Sequence, residues 1–183
     1  MEFVKSLKYT KLLKYVLFAL VGSILLAVSS KIKIPFYPVP MTMQTFVVLF
    51  IGIAFGWKLG VATISLYLFE GIIGLPVFSG TPEKGLGLVY FTGPTMGYLI
   101  GFLITVYIAG KFVYENNLVT NFLKLSFATS FIYVFGMIWL ANLIGWDKPI
   151  FQLGAQPFLL AELFKVLIAT FAVQQIKKIR NLI

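Results

Sequence analysis

Cysteine and histidine are both missing from this chain of 183 residues. Without cysteine there is no thiol chemistry, and without histidine no imidazole for acid–base catalysis; together the two absences remove most transition-metal sites. They also leave the redox compartment unreadable. Charge is scarce as well, at 11% of residues, and acidic side chains are few: 6 against 15 basic, for a net charge of +9. A nucleotide-binding loop is lacking too. The nearest approach to Gly-x-x-x-x-Gly-Lys-Ser/Thr is Gly80 to Gly85, which Leu86 and Gly87 follow, so the chain is not expected to hydrolyse ATP.

What is present is apolar. Hydrophobic residues make up 60% of the chain, aromatics 17%, and the mean hydropathy is +0.96, far above a soluble domain. This composition predicts an integral membrane protein. A crossing helix needs about 20 mostly apolar residues, and turn signals cut the chain into about six such runs. The expected spans are Lys14–Ser30, Met41–Phe55, Lys58–Ile73, Gly93–Gly110, Lys124–Ile144 and Pro157–Ile176. Continuous apolarity favours helices over the alternating pattern of a membrane barrel. The expected fold is therefore all-α: one domain over residues 1–183, a bundle of six transmembrane helices, with no room for a soluble domain. The basic start and the run ending at Ser30 also resemble a signal peptide, but cleavage would deprive the bundle of a helix.

The basic residues set an orientation. With the N-terminus in the cytoplasm, Lys5, Lys8, Lys11, Lys14, Lys58, Lys111, Lys124, Lys177, Lys178 and Arg180 lie inside. Lys31, Lys33, Lys84 and Lys148 fall outside. This bias places both termini in the cytoplasm of a cell-membrane protein. A basic inner face matches anionic inner-leaflet lipids, so the charge does not imply nucleic acid.

Three irregular segments then share the external side. Ile34 to Pro40 holds three prolines and favours an extended path, with Gln44 and Thr45 in the first turns of the next helix. Gly71 to Gly93 is long and too apolar for a solvated tether, and irregular backbone at membrane depth must be buried in protein or line a cavity. Gly154-Ala155-Gln156-Pro157-Phe158 precedes the last span. Glu162 and Lys165 follow it, one helical turn apart, in a stretch otherwise uncharged from Pro149 to Ile176. A charge at membrane depth costs about 2.5 to 3.5 kcal/mol, and a chain keeps one there for a substrate or a partner. With Glu70 at the end of the third span, these features predict an externally capped ligand pocket. Phe36, Tyr37, Phe78, Tyr90 and Phe158 would line it, and a few polar groups would orient the ligand. Each feature also has a structural reading: a self-neutralising ion pair, a boundary carboxylate reaching for the interface, aromatics as core or interface anchors, and Gln44 as a first-turn residue.

Taken together, Pro38-Val39-Pro40-Met41-Thr42-Met43-Gln44-Thr45, Gly74-Leu75-Pro76-Val77-Phe78, Gly93-Pro94-Thr95-Met96-Gly97-Tyr98-Leu99-Ile100-Gly101 and Pro157-Phe158 followed by Glu162 and Lys165 resemble the BioY family of biotin transporters. The motifs stand in family order over nearly the whole chain. The resemblance implies a substrate-capturing S component of an energy-coupling factor (ECF) transporter, with biotin as transported ligand, no cofactor, and a transmembrane T component and two ATPases as partners. Glu162 departs from the aspartate common in the family, a shift of about 1 Å that a pocket can feel.

Biotin presents two ureido N–H groups, one ureido carbonyl, an apolar thiophane ring and a carboxylate tail. Glu162 can accept from the ureido N–H groups, and Lys165 can donate to a ligand oxygen. Gln44 and Ser79 can add neutral hydrogen bonds. The pair is too compact to serve both ends of biotin: either Lys165 meets the tail, or the pair holds the ring and the tail points toward Lys31, Lys33 or Lys84. Ala19, Ser23 and Ala27 recur every four residues and resemble the face that meets a T component; Gly93, Gly97 and Gly101 make a similar stripe. Packing within the bundle is the alternative reading of the first stripe and the favoured one for the glycines. Alternatives are an S component for another vitamin, a self-sufficient proton-coupled transporter, and a membrane enzyme for which only Glu70, Glu162 and Lys165 stand out.

Overall fold

A computed structural model describes residues 2–182, with side chains from Leu12 to Leu182; Lys5, Lys8 and Lys11 lie outside the described side chains. Helix α1 (Glu2–Lys31) leads into strand β1 (Lys33–Ile34), which pairs antiparallel with β2 (Met41–Thr42), Lys33 opposite Thr42. Then follow α2 (Gln44–Ile72), α3 (Met96–Lys111), α4 (Leu118–Ile144), the short α5 (Ile150–Gly154) and α6 (Leu159–Ile176). Single 3₁₀ segments occupy Gly87–Thr92, Gln156–Phe158 and Lys177–Leu182.

Helix α2 is a hairpin. Gly56 has φ 71° and ψ 176°, a left-handed region that costs glycine little and other residues much. The chain turns back there. Gln44 Nε2 consequently donates to Tyr67 Oη at 2.7 Å, although a straight helix would hold the two about 34 Å apart. The arms, 44–55 and 57–72, coincide with the expected second and third spans. Four stretches are long and apolar enough to cross a membrane: Leu12–Lys31, Gln44–Ile72, Leu118–Ile144 and Ile150–Leu182, with Met96–Lys111 shorter. Counting both arms of α2, the bundle holds six long helical segments.

Small residues set how closely these segments pack. Gly97 and Gly101 bring α3 onto the backbone of α4 near Gly136 and Ile132, where a Cβ at Gly101 would lie 2.5 Å from Ile132 Cα. The glycine stripe of α3 is thus spent inside the bundle. Helix α1 lies on the hairpin through Ala19, Gly22, Ser23 and Leu26, with Gly22 against Thr63 and Phe55. Its opposite face, including Leu17, Leu20, Ile24 and Val28, is exposed and apolar, as a lipid-facing surface requires.

The two ends of the bundle differ in charge. At one end lie the Gly56 turn, the α3–α4 loop and the C-terminal segment, with Lys14, Lys58, Lys111, Lys124, Lys177, Lys178 and Arg180. Among described side chains only Glu115 opposes them there, paired with Lys124 at 2.8 Å. The other end carries the β1–β2 ribbon, the 73–95 loop and α5, which together roof the space between the helices.

Candidate functional site

Under that roof lies a small cavity of about 50 Å³, below the usual size of small-molecule sites, so a ligand must displace part of its lining as it enters. The β2–α2 junction contributes Thr42, Gln44 and Thr45; the 73–95 loop Phe78, Ser79, Tyr90 and Thr95; α3 Tyr98 and Phe102; α4 Tyr133; α6 Glu162 and Lys165, beneath Phe158.

The charged pair is nearly closed off from solvent, Glu162 at 5% and Lys165 at 6% exposure. Lys165 Nζ donates to Glu162 Oε1 at 2.5 Å, Thr42 O at 2.6 Å and Thr45 Oγ1 at 3.0 Å. Those three bonds use all three ammonium hydrogens. Thr45 Oγ1 in turn donates to Glu162 Oε1 at 2.6 Å. One carboxylate oxygen is thereby fixed, while Glu162 Oε2 is buried with no hydrogen-bond partner among the described residues. Ser79 Oγ is buried and unpartnered in the same way. Two unsatisfied polar atoms around one cavity would cost about 1 to 3 kcal/mol each if nothing met them.

The roof is held by a relay. Gln44 Nε2 donates to Tyr67 Oη at 2.7 Å, and Tyr67 Oη donates to Val77 O at 3.0 Å, which also accepts from Ser30 Oγ at 2.8 Å. Tyr90 Oη donates to Ser79 O at 2.9 Å. Lys31 Nζ reaches Phe78 O, Thr81 O and Thr81 Oγ1 at 2.9, 3.3 and 3.1 Å. Phe78 is the plug: its ring stacks on Tyr90 at 4.7 Å, meets Tyr67 edge-on at 5.2 Å, and lies against Gly71, where a side chain would collide with it.

Most expected site residues converge here: Glu162, Lys165, Gln44, Ser79, Tyr90, Phe78 and Phe158 all line the cavity. Several do not serve as expected. Tyr37 is 92% exposed and lies outside, although Val39 and Pro40 of the same bend turn in and line the cavity. Phe36 stands behind the wall, edge-on to Phe158 at 5.8 Å. Glu70 does not face the cavity; it accepts from Ser23 Oγ, since side chains on a helix lean toward its N-terminus and here that direction runs down into the bundle. The Ala19, Ser23, Ala27 stripe points inward, with Ser23 at 0% exposure, so in this structure it packs α1 on the hairpin and offers no docking face. Lys165 has no free donor for a ligand and acts by holding Glu162. Thr45, Tyr98 and Tyr133 were missed as site residues; Thr45 and Tyr98 stand inside quoted motifs, whereas Tyr133 sits mid-helix with no local signal.

Lys84 adds a charge at the rim. It lines a second recess with Tyr37 and Pro38, and that recess shares Tyr90 and Thr95 with the cavity. Its stem lies over Gly80, φ 79°, where a Cβ would sit 2.9 Å from Lys84 Cδ. Burial, and then the neighbouring Lys33, hold its pKa below the ordinary 10.5.

Fold and site define a polytopic helical membrane protein with a lined cavity near one end of its bundle. The BioY family model matches residues 4–181, and the chain belongs to that family. It is 34% identical over 153 residues to a probable biotin transporter BioY of Pyrococcus horikoshii, covering 84% of this chain and 90% of that one. A biotin transporter BioY of Thermotoga maritima is 31% identical over 156 residues, 85% and 90% of the two chains. A crystal structure of the S-component for biotin from an ECF-type ABC transporter superposes with a TM-score of 0.76 at 23% identity, covering 92% of this chain and 93% of the other.

Proposed function

We propose that this chain captures biotin at the cell membrane as the S component of an ECF-type transporter. The observation that carries the reading is the pair of buried, unpartnered atoms, Glu162 Oε2 on α6 and Ser79 Oγ in the roof, on residues that line one cavity. A ureido ring answers both: its N–H donates to the carboxylate oxygen, and its carbonyl accepts from the serine hydroxyl. The apolar thiophane ring fits between Phe78, Tyr90, Tyr133 and Phe158. With Lys165 fully engaged, the tail carboxylate turns toward the rim, where Lys84 is available and Lys31 is bound to the roof.

The chain has no nucleotide loop, so energy has to come from partners, which the S-component reading supplies as a transmembrane T component and two ATPases. The cationic end of the bundle faces the cytoplasm on this reading, as the excess of lysine and arginine requires, and the cavity then opens to the outside. Family membership and the names of the relatives favour transport over catalysis. Titration calorimetry of the purified protein tests ligand capture: biotin is expected to bind far more tightly than 1 mM, equivalent to about 4 kcal/mol. Affinities no better than that for biotin and desthiobiotin alike would sink the reading.

A further inference from the structure

At the cationic end a groove of about 520 Å³ opens between α1 and the turn of the α2 hairpin. Tyr15, Val16 and Ala19 form one wall, and Phe55, Leu59 and Ala62 the other. Lys58 and Arg180 line the same groove. The ammonium groups of Lys58 and Lys111 lie 5.5 and 5.4 Å from the Trp57 ring at its edge. Arg180 is held by one terminal nitrogen, which donates to Gly52 O at 3.0 Å and Ile53 O at 2.8 Å. Its Nε is buried with no partner among the described residues. The guanidinium lies against the turn, 3.5 Å from where a Cβ on Gly56 would stand.

Among the described residues no carboxylate lines the groove, and nearby Glu115 is engaged by Lys124 at 2.8 Å. The result is an apolar slot that ends on cations with donors to spare, at the level where a helical bundle meets lipid headgroups. Its chemistry matches an amphiphile with an alkyl chain and an anionic head. A zwitterionic lipid would set its own ammonium among lysines, whereas a phosphodiester with a neutral headgroup leaves its charge unopposed.

We propose that this groove is a binding site for an anionic phospholipid, its phosphate at Lys58 and Arg180 and its first acyl carbons between α1 and the hairpin. The site lies at the other end of the bundle from the ligand cavity and does not depend on what fills that cavity. The test uses the full chain in detergent, titrated with dioleoyl-phosphatidylglycerol or dioleoyl-phosphatidylcholine and followed by native mass spectrometry. One phosphatidylglycerol is expected to be retained at least about ten-fold more tightly than phosphatidylcholine. Lys58→Gln should reduce that preference about five-fold, the contribution of one cation near a lipid surface. Ala62→Phe, which fills the groove without altering charge, should abolish the single tight lipid; Val16→Trp from the exposed side of α1 serves the same purpose if Ala62→Phe unfolds. Equal retention of the two lipids by the parent protein would overturn the proposal. So would an unchanged phosphatidylglycerol preference in both Lys58→Gln and a folded groove-filling variant.

Discussion

Replacing Glu162 by glutamine changes one oxygen into an NH2 and almost nothing in shape, so it isolates the electrostatic role of the carboxylate. The orientation of the new amide is decided by its neighbours. Oε1 accepts from Lys165 Nζ at 2.5 Å and from Thr45 Oγ1 at 2.6 Å, and an NH2 placed there would face an ammonium. The carbonyl must stay where Oε1 is. The amide NH2 therefore takes the place of Oε2 and presents donors to the ureido N–H, itself a donor.

Two terms follow from that geometry. Losing a hydrogen bond to a charged acceptor costs about 1.5 to 3 kcal/mol, and leaving opposed donors unpaired in a dry site costs about 1 to 3 kcal/mol more. Relaxation of the ligand recovers part of this, so a loss of at least about 2 kcal/mol, or about 30-fold in affinity, is the floor. Calorimetric biotin titration measures it, and a thermal melt separates binding from folding. The melt should fall too, because Lys165 is left buried without a counter-charge. Biotin affinity within about three-fold of the parent protein, with the fold intact, would refute the assignment of Oε2 to the ligand and return the ion pair to a structural role.

Lys84→Ala tests the other end of the ligand. It should weaken biotin by about two- to five-fold, as for an exposed ion pair, and leave biotinamide, which has no tail charge, unaffected; equal effects on both ligands would remove Lys84 from the site. Because the protonated lysine is the attracting form, biotin binding should decline as pH rises, starting below the ordinary lysine value of 10.5 since burial and then Lys33 lower this pKa. In Lys84→Ala that alkaline decline should disappear from the affinity profile. Tyr67→Phe interrupts the relay from Gln44 to Val77 O. Stability should drop by about 1 kcal/mol and stopped-flow measurement should show faster biotin release, whereas an unchanged release rate would mean that the roof does not gate the cavity.

Much of this architecture was legible because membrane depth penalises irregular backbone and charge so heavily. The break at Trp57-Lys58 was visible as a polar interruption, and it split α2 into two spans even though the left-handed turn at Gly56 could not be told from any other glycine. Proline and glycine clusters located the roof, and Glu162 with Lys165 located the wall. Direction was not legible. Whether Tyr37 or Phe36 points inward depends on the β1–β2 register, which two-residue strands do not announce. The four-residue repeat of Ala19, Ser23 and Ala27 marks a face for close approach without saying whether the neighbour belongs to the same chain. Glu70 sits at the end of a span, yet the lean of helical side chains aims it at Ser23. The count of donors on Lys165, which changes its part from ligand contact to support for Glu162, needs three atoms from the β2–α2 junction placed in space.

The packing beneath the cavity bears on how such a site can deliver its ligand. One turn below Gln44 and Thr45 lie Val48 and Leu49; one turn below Phe102 lies Val106; below Ile132 lie Ala128 and Leu125, and all five are fully buried. Thr105 Oγ1 donates across this layer to Ala128 O at 2.8 Å, tying α3 to α4. A ligand in the cavity therefore has side chains packed at interior density between it and the cationic end, and any route through the bundle must part these three helices at once. Protonation of Glu162 would not do that: its bonds reach only α6 and the start of α2, above the layer, so releasing them loosens the cavity wall while the floor stays closed. A self-sufficient proton-coupled carrier needs a charge placed where its neutralisation opens the barrier, and this carboxylate lines the cavity above that barrier. That division of labour, capture in this chain and the work of crossing elsewhere, is what an S component supplies.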